Sequence, residues 1–347
     1  MALNDSGFDV NLLVADGLGY EEKSGIKIFD AGKTSNRLAR FTSIFYKIYI
    51  KAKEIDADVF HFHDPELMFL GFFLKLKGKK VIYDIHEDVP KDIMIKYWIP
   101  TAFLRSFVKY VYVMLEKFFV RKFDLLITVS EEIGHNYSRF KEKVLIIRNV
   151  AIVKVIDEAP VSKESKNKSF ILLYQGGLNP VRGIREIVSS MQYVNSVTLW
   201  LFGVWSSEEF KSECEKLEGY KNVRYFGFIP SKDLYGFTKL ADVCIINFLP
   251  LPHNEFSLPN KIFEYMACRK PVILSDFPYW RKIFGDAACY ADSRDPKKIA
   301  EAVTFLQNNK SERNKIAAKG RKLVETEFSW ERESKLLVNA YKKLLKV

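Results

Sequence analysis

Lys261 and Glu264 stand three residues apart in the run Leu258-Pro-Asn-Lys-Ile-Phe-Glu264. That spacing puts both side chains on one face of a helix. Leu258-Pro259 ends a loop with the residue best tolerated at a helix start. A cation beside a helix N-terminus is a natural place for a phosphate, because free N–H groups and the macrodipole already favour an anion there. A carboxylate one turn later offers the acceptor oxygens that ribose hydroxyls need. The same two residues also make an ordinary surface ion pair, and alone they do not choose between the two. Arg269-Lys270 is expected to close the helix with favourable charge, and Pro271-Val-Ile-Leu274 to follow as a covered strand.

A second constellation is Gln175-Gly176-Gly177-Leu-Asn-Pro-Val-Arg182-Gly183, directly after the apolar run Phe170–Tyr174. Strand, glycine-rich loop and helix is a phosphate-binding layout: glycines let the backbone approach, and the helix supplies N–H groups. Arg182 adds a fixed charge. The spacing is neither a P-loop nor a dinucleotide fingerprint, so the loop by itself is a weak, general anion signal. Gly203, Gly227 and Asn247 end three further strand-like runs and are expected on the same edge as Lys261 and Glu264. A third constellation is His63-Asp64-Pro65-Glu66 and His86-Glu87-Asp88, each at the end of an expected strand. Ligands of parallel sheets gather at those ends. A histidine there is as readily structural as functional.

The elements that must hold these residues alternate. Strands are expected at Phe8–Ala15, Ile26–Phe29, Asp58–His63, Lys79–Asp84, Phe123–Val129, Val144–Ile147, Phe170–Tyr174, Val197–Phe202, Val223–Phe226, Asp242–Ile246 and Pro271–Leu274. A helical pattern from Ser35 to about Ile55 carries Leu38, Phe41, Ile44, Phe45 and Ile48 on one side. Strands alternating with helices imply an α/β protein with doubly wound parallel sheets. At 347 residues, two domains are expected. The bounds read as 1–152, a polar linker 153–168, a second domain 169–326, and a closing helix 327–347 that packs back on the first domain. Asp56-Ala57-Asp58 has the letters of a metal motif but precedes a strand, and reads as a turn.

Net charge of +11 points to anionic partners. It is spread over both halves without a basic tail, which argues against nucleic acid. No apolar run reaches transmembrane length. The four cysteines, Cys214, Cys244, Cys268 and Cys289, lie far apart without metal-ligand spacing, as in a reducing compartment. Between Trp98 and Phe123 the chain is both aromatic and basic. A membrane-surface helix and a pair of ordinary helices on the sheet are both open; the second is favoured because apolar residues surround the pattern.

Taken together, His63-Asp-Pro-Glu66, Tyr83-Asp-Ile-His-Glu87, Gly176-Gly177 with Arg182-Gly183, Gly227-Phe-Ile-Pro230, Ala241-Asp242, Leu258–Ala267, Lys270-Pro-Val-Ile273 and Phe328-Ser-Trp-Glu331 resemble the group 1 glycosyltransferases. These are retaining enzymes of GT-B architecture, with two Rossmann-like domains facing each other across a cleft. The resemblance covers nearly the whole chain.

It implies a nucleotide-sugar donor on the second domain, with Gly176, Gly177, Arg182, Gly203, Phe228, Ile229, Ser257, Leu258, Lys261 and Glu264 as its contacts. Arg182 and Lys261 would stabilise the departing diphosphate, so that neither a metal nor a cofactor is expected. Glu264 would hold the ribose, and Phe228-Ile229 would lie along the base. His86 matches a first-domain histidine that touches the donor sugar or acceptor. His63, Asp64, Glu87 and Glu255 are further candidates for sugar or acceptor contact.

Three departures accompany the match. Where relatives place a glutamate eight residues before Glu264, this chain has Phe256, with Glu255 one residue off. The usual glycine–arginine pair is Gly176-Gly177. Relatives also begin with a further strand, a loop and most of a helix ahead of the first strand seen here. The expected function is transfer of a sugar from a UDP- or GDP-linked donor to a saccharide or lipid-linked acceptor. The expected place is surface polysaccharide synthesis, in the cytoplasm or on the inner face of the membrane. The alternative class is a non-catalytic relative that binds nucleotide or a partner.

Overall fold

The structure is a computed structural model that describes residues 1–34, 40–95, 99–164 and 169–347. The expectations at Ser35, Leu38 and Trp98, and at the Phe41 side chain, lie outside the described residues. The chain divides into two compact units: unit 1 is 1–148 with 333–347, and unit 2 is 149–332.

Unit 2 holds one six-stranded sheet: β8 (Phe170–Gln175), β9 (Val197–Phe202), β10 (Val223–Gly227), β11 (Val243–Ile246), β12 (Val272–Ser275) and β13 (Cys289–Ala291). Their order is β10-β9-β8-β11-β12-β13, with every neighbouring pair parallel. Within the unit this is the third, second, first, fourth, fifth and sixth strand, the doubly wound order of dinucleotide-binding folds. Successive side chains feed opposite faces. Ile171, Leu173, Cys244 and Ile246 enter one apolar core, while Leu172, Tyr174, Val243 and Ile245 enter the other. Burial on both faces is why these strands read as unbroken apolar runs.

Unit 1 contains a parallel four-stranded sheet, β4 (Val59–Phe62), β5 (Lys80–Ile85), β6 (Leu125–Thr128) and β7 (Val144–Ile146), in sequence order. A separate small sheet joins β1 (Asn11–Val14) to β3 (Ile26–Asp30) in parallel, and β3 to β2 (Glu21–Lys23) antiparallel. The β2–β3 hairpin was not visible in the sequence pattern, because Glu21-Glu22-Lys23 is exposed and carries no apolar signal. Its two-residue turn, Ser24-Gly25, has positive φ at both positions, as a twisted hairpin requires.

Local expectations shift in three places. The pattern toward Ile55 enters through a π-turn at Arg40–Ile44 before the regular helix Phe45–Ile55. Val153-Lys154, the start of the polar connector, winds into a helix, Val153–Glu158, with Ile156 fully buried. Arg269-Lys270 lies past the helix Asn260–Ala267, because Cys268 already leaves helical geometry and Arg269 takes φ +58. The backbone amides of Arg269 and Lys270 return to the carbonyls of Met266 and Tyr265 and close the helix instead.

Candidate functional site

The strand order of unit 2 reverses between β8 and β11, so a crevice is expected at their carboxyl ends. Gly176-Gly177 leaves β8 there, and the backbones of three strand ends are sewn together. Gly176 N–H donates to Phe202 (2.9 Å), Gly203 N–H to Gly227 (2.8 Å) and Leu178 N–H to Val204 (2.9 Å). Gly203 has φ +139, and a Cβ on it would sit 1.8 Å from the Gly176 carbonyl oxygen. Only glycine fits that approach.

Arg182 ends a short turn, Pro180–Arg182, capped by the Asn179 side chain, which accepts from Arg182 N–H at 3.1 Å. Its guanidinium folds back over the glycine loop: a Cβ on Gly176 would lie 2.9 Å from Nη1. It also packs 5.6 Å from the centre of the Phe248 ring. The loop before Lys261 is fastened to the same turn. Asn254 donates to the carbonyls of Val181 and Leu249, and Leu249 N–H donates to Val181. Glu255, beside Asn254, is thereby held next to the Arg182 turn, while Phe256 is exposed, its ring tilted against that of Tyr279 at 5.7 Å. Ser257 is fixed from both sides: its hydroxyl donates to Asn254, and its carbonyl accepts from Trp280 Nε1 at 2.7 Å.

Lys261 Nζ stands 3.7 Å from Glu264 Oε2. That carboxylate is a hub. It accepts from Gln175 Nε2 at 2.9 Å and from the Tyr235 hydroxyl at 3.3 Å. Gln175 N–H in turn donates to the Tyr265 hydroxyl at 2.8 Å. Lys261 and Arg182 are therefore linked through the dipeptide Gln175-Gly176 at the end of β8. Gln175 is buried, and its Oε1 has no hydrogen-bond partner among the described residues. A buried acceptor without a donor beside a carboxylate suits a hydroxyl-bearing ligand.

The far end of this helix is anchored too. Buried Arg321 donates to the Ala267 carbonyl and pairs with Asp157 at 2.7 Å. At the end of β10, Phe228 is 73 % exposed and Ile229 half-buried. The sequence reading did not single out Gln175, Tyr235 or Arg321. The first two bear only on tertiary contact with Glu264; no spacing signals them.

Unit 1 builds a different edge. Phe62 pairs with Tyr83 in the β4–β5 register, so His61 and His63 on one strand share a face with Asp84 and His86 on the next. Asp84 is the centre. His61 Nε2 lies 3.2 Å and His63 Nδ1 3.3 Å from its Oδ2, and His86 Nε2 lies 3.3 Å from Oδ1. His63 and His86 are 3.0 Å apart, and His61 Nδ1 bonds the Tyr341 hydroxyl at 2.8 Å.

Burial opposes ionisation of Asp84, but the three imidazoles around it, His61 first, outweigh it and hold the carboxyl well below its usual range. His86 is pushed up, first by its hydrogen bond to Asp84, against desolvation, with Glu87 adding. His61, His63 and Asp84 offer donor atoms within 4.8 Å of one another, a set of metal-ligand type. Asp64 lines a cavity of about 270 Å³ with Ala15, Gly32, Ile44 and Phe45. Glu87 is exposed. Asp84, His61 and Tyr341 were missed as site members. The His-x-His and Asp-x-His spacings carried the signal for the first two.

Comparison with known proteins covers both halves of the chain. Residues 155–323 match the model of glycosyl transferases group 1, and residues 1–151 that of glycosyltransferase family 4. A lipopolysaccharide core biosynthesis glycosyltransferase, LpsD of Rhizobium meliloti, is 26 % identical over 176 residues, which is 50 % of this chain and 48 % of that protein. The chain thus matches about half the length of that relative. Sucrose-phosphate synthase from Thermosynechococcus elongatus superposes with a TM-score of 0.76 at 18 % identity, covering 99 % of this chain and 91 % of that one. Anabaena HepE in complex with UDP and glucose gives 0.70 at 13 % identity, covering 96 % and 100 %. At such identities the likeness speaks for the fold. With its second half matched by the group 1 model, its first half by the family 4 model and its fold by that of GT-B enzymes, the chain belongs to the glycosyltransferases of GT-B architecture.

Proposed function

We propose that this protein is a retaining glycosyltransferase that takes a UDP- or GDP-linked sugar and transfers it to a saccharide or lipid-linked acceptor. The observation that carries the donor half is the Glu264 hub. A carboxylate, an unpartnered amide oxygen and Lys261 meet at the switch point of a doubly wound sheet, with Arg182 over the adjoining Gly176. In this reading Glu264 and Gln175 receive the ribose hydroxyls, and Arg182 and Lys261 the diphosphate. Gly176, Gly177 and Gly203 let its backbone close in. Exposed Phe228, with Ile229, offers a face for the base, and Ser257, Leu258 and Glu255 lie toward the sugar.

The bond from the anomeric carbon to the diphosphate oxygen breaks, and a bond to the acceptor oxygen forms on the same face. The hydroxyl proton leaves with the diphosphate. Two fixed cations aimed at the developing negative charge supply stabilisation that a metal would otherwise give, so we propose that no metal or cofactor is needed. His86 serves the reacting saccharide as a polar contact held by Asp84, with His63, Asp64 and Glu87 toward the acceptor. The UDP in the HepE complex and the lipopolysaccharide role of LpsD support a nucleotide-sugar donor and a surface-polysaccharide product. We place the protein in the cytoplasm, against the inner membrane surface; no helix among the described residues is long and apolar enough to cross a membrane.

The test is calorimetric titration with UDP and GDP, followed by a sugar-release assay over a panel of nucleotide sugars with chelator present. Weaker nucleotide binding in Lys261→Ala, and turnover that survives the chelator, are expected. Absence of any nucleotide binding by the wild-type protein sinks the donor reading, and turnover abolished by the chelator sinks the metal-free one.

A further inference from the structure

The helix Ala102–Val120 packs one side into unit 1 through Glu116, Phe119 and Val120. Its opposite side is not polar. Phe103, Phe107, Tyr110, Met114 and Phe118 follow at intervals of four, three, four and four residues, which makes one continuous helical stripe. All five are exposed, Phe103 by 83 % and Tyr110 by 69 %. The patch continues onto the neighbouring helix Met68–Leu76, where Phe69, Phe73 and Leu76 are exposed at the same spacing. Phe69 meets Phe119 at 4.7 Å and Phe72 meets Phe118 at 5.5 Å, so the two surfaces are contiguous. An apolar face of this extent is not left to water without a partner.

Charge identifies the partner. The exposed charged residues on and just after the long helix are Lys117, Arg121 and Lys122. The lone acid, Glu116, is buried and taken up by the Tyr112 and Tyr137 hydroxyls at 2.9 and 2.8 Å. Helix Met68–Leu76 has no acid, and Lys77 follows it, exposed. Among the described residues, the exposed charges on and just after these two helices are all cations, with half-buried Glu66 ahead of the shorter one; such a face fits an anionic lipid surface, where rings enter the interface and Lys and Arg reach the headgroups.

We propose that this two-helix face docks unit 1 onto a bilayer rich in anionic lipid. The proposal deepens the reading of a membrane-borne acceptor and rests on it for the purpose of docking, while the face itself is argued from unit 1 alone.

The experiment is sedimentation of the full chain with vesicles of phosphatidylglycerol and phosphatidylethanolamine, against vesicles of phosphatidylcholine alone. Retention on the anionic vesicles is expected. Removing two inserted rings in Phe107→Ser/Phe118→Ser weakens it by about tenfold or more, and Lys117→Glu/Arg121→Glu weakens it by about tenfold. Both variants replace exposed side chains and are expected to keep the wild-type melting temperature; the charge pair keeps the test valid if the aromatic pair does not fold. UDP titration of the same preparations separates this face from the donor site. Retention unchanged in both variants overturns the proposal. So does no retention of the wild type, whether it stays monomeric or forms a dimer that Phe107→Ser/Phe118→Ser dissociates.

Discussion

The carboxyl edge of β8 to β12 and the carboxyl edge of β4 and β5 use different materials. The first is mostly backbone. Gly176, Gly183, Gly203 and Gly227 all take positive φ, and the loops are joined by main-chain hydrogen bonds before any side chain acts. Its charged groups are each braced: Lys261 by Glu264, Glu264 by Gln175 and Tyr235, and Arg182 by Phe248. The second edge is mostly side chains, three histidines around one buried carboxylate, with Tyr341 brought from the other end of the chain. An edge of fixed backbone dipoles suits a ligand whose charge is constant, such as a diphosphate. An edge of imidazoles changes charge with pH and suits a polar saccharide or a moving proton.

That contrast predicts effects of different kind and size. If Arg182 and Lys261 act on transition-state charge as proposed, Arg182→Ala and Lys261→Ala should each lower kcat by about 10²- to 10³-fold. Initial rates with the preferred donor check this, and a change confined to KM would mean that the cations only bind. Gly203→Ala should cost about 3 kcal/mol of stability, because a Cβ would collide with the Gly176 carbonyl at positive φ. Thermal unfolding reads it, and an unchanged midpoint would show that the edge is not rigid.

Asp84→Asn should leave stability less affected but move the pH profile. His86 is raised mainly by Asp84, so its protonated form and the stability it brings are complete below the unfolded value near 6.5 and lost as pH rises through the folded value. Without the carboxylate the alkaline limb of the rate profile should shift to lower pH. A limb that stays in place assigns it to another group. Tyr341→Phe removes one hydrogen bond to His61 and should cost about 1 kcal/mol, visible as a small fall in melting temperature with kcat nearly kept. A large fall in kcat would make the C-terminal helix part of the reaction site.

Much of the candidate donor edge was legible because its requirements are local. The spacing Lys261-x-x-Glu264, the glycine pair after an apolar run and Arg182 at the following turn each point to the strand end where they occur. The wrongly placed parts are instructive. Arg269-Lys270 read as helix-closing charge, yet the chain turns left-handed at Arg269, a choice made by backbone hydrogen bonds to Tyr265 and Met266. The stripe Phe103 to Phe118 was obscured because the buried side of the same helix is apolar too. Periodicity shows a face only where the other face differs.

By itself the sequence determined the alternation of strands and helices, the glycines at strand ends and the residue types of both edges, since these follow from the period of apolar residues and the conformational limits of glycine and proline. Only the tertiary structure decided the partners: that Gln175 and Tyr235 share Glu264, that Asp84 gathers three histidines, and that Tyr341 reaches His61 across 280 positions of chain. Strand order and register set those meetings, and they are energies of contact between distant segments, which no local spacing records.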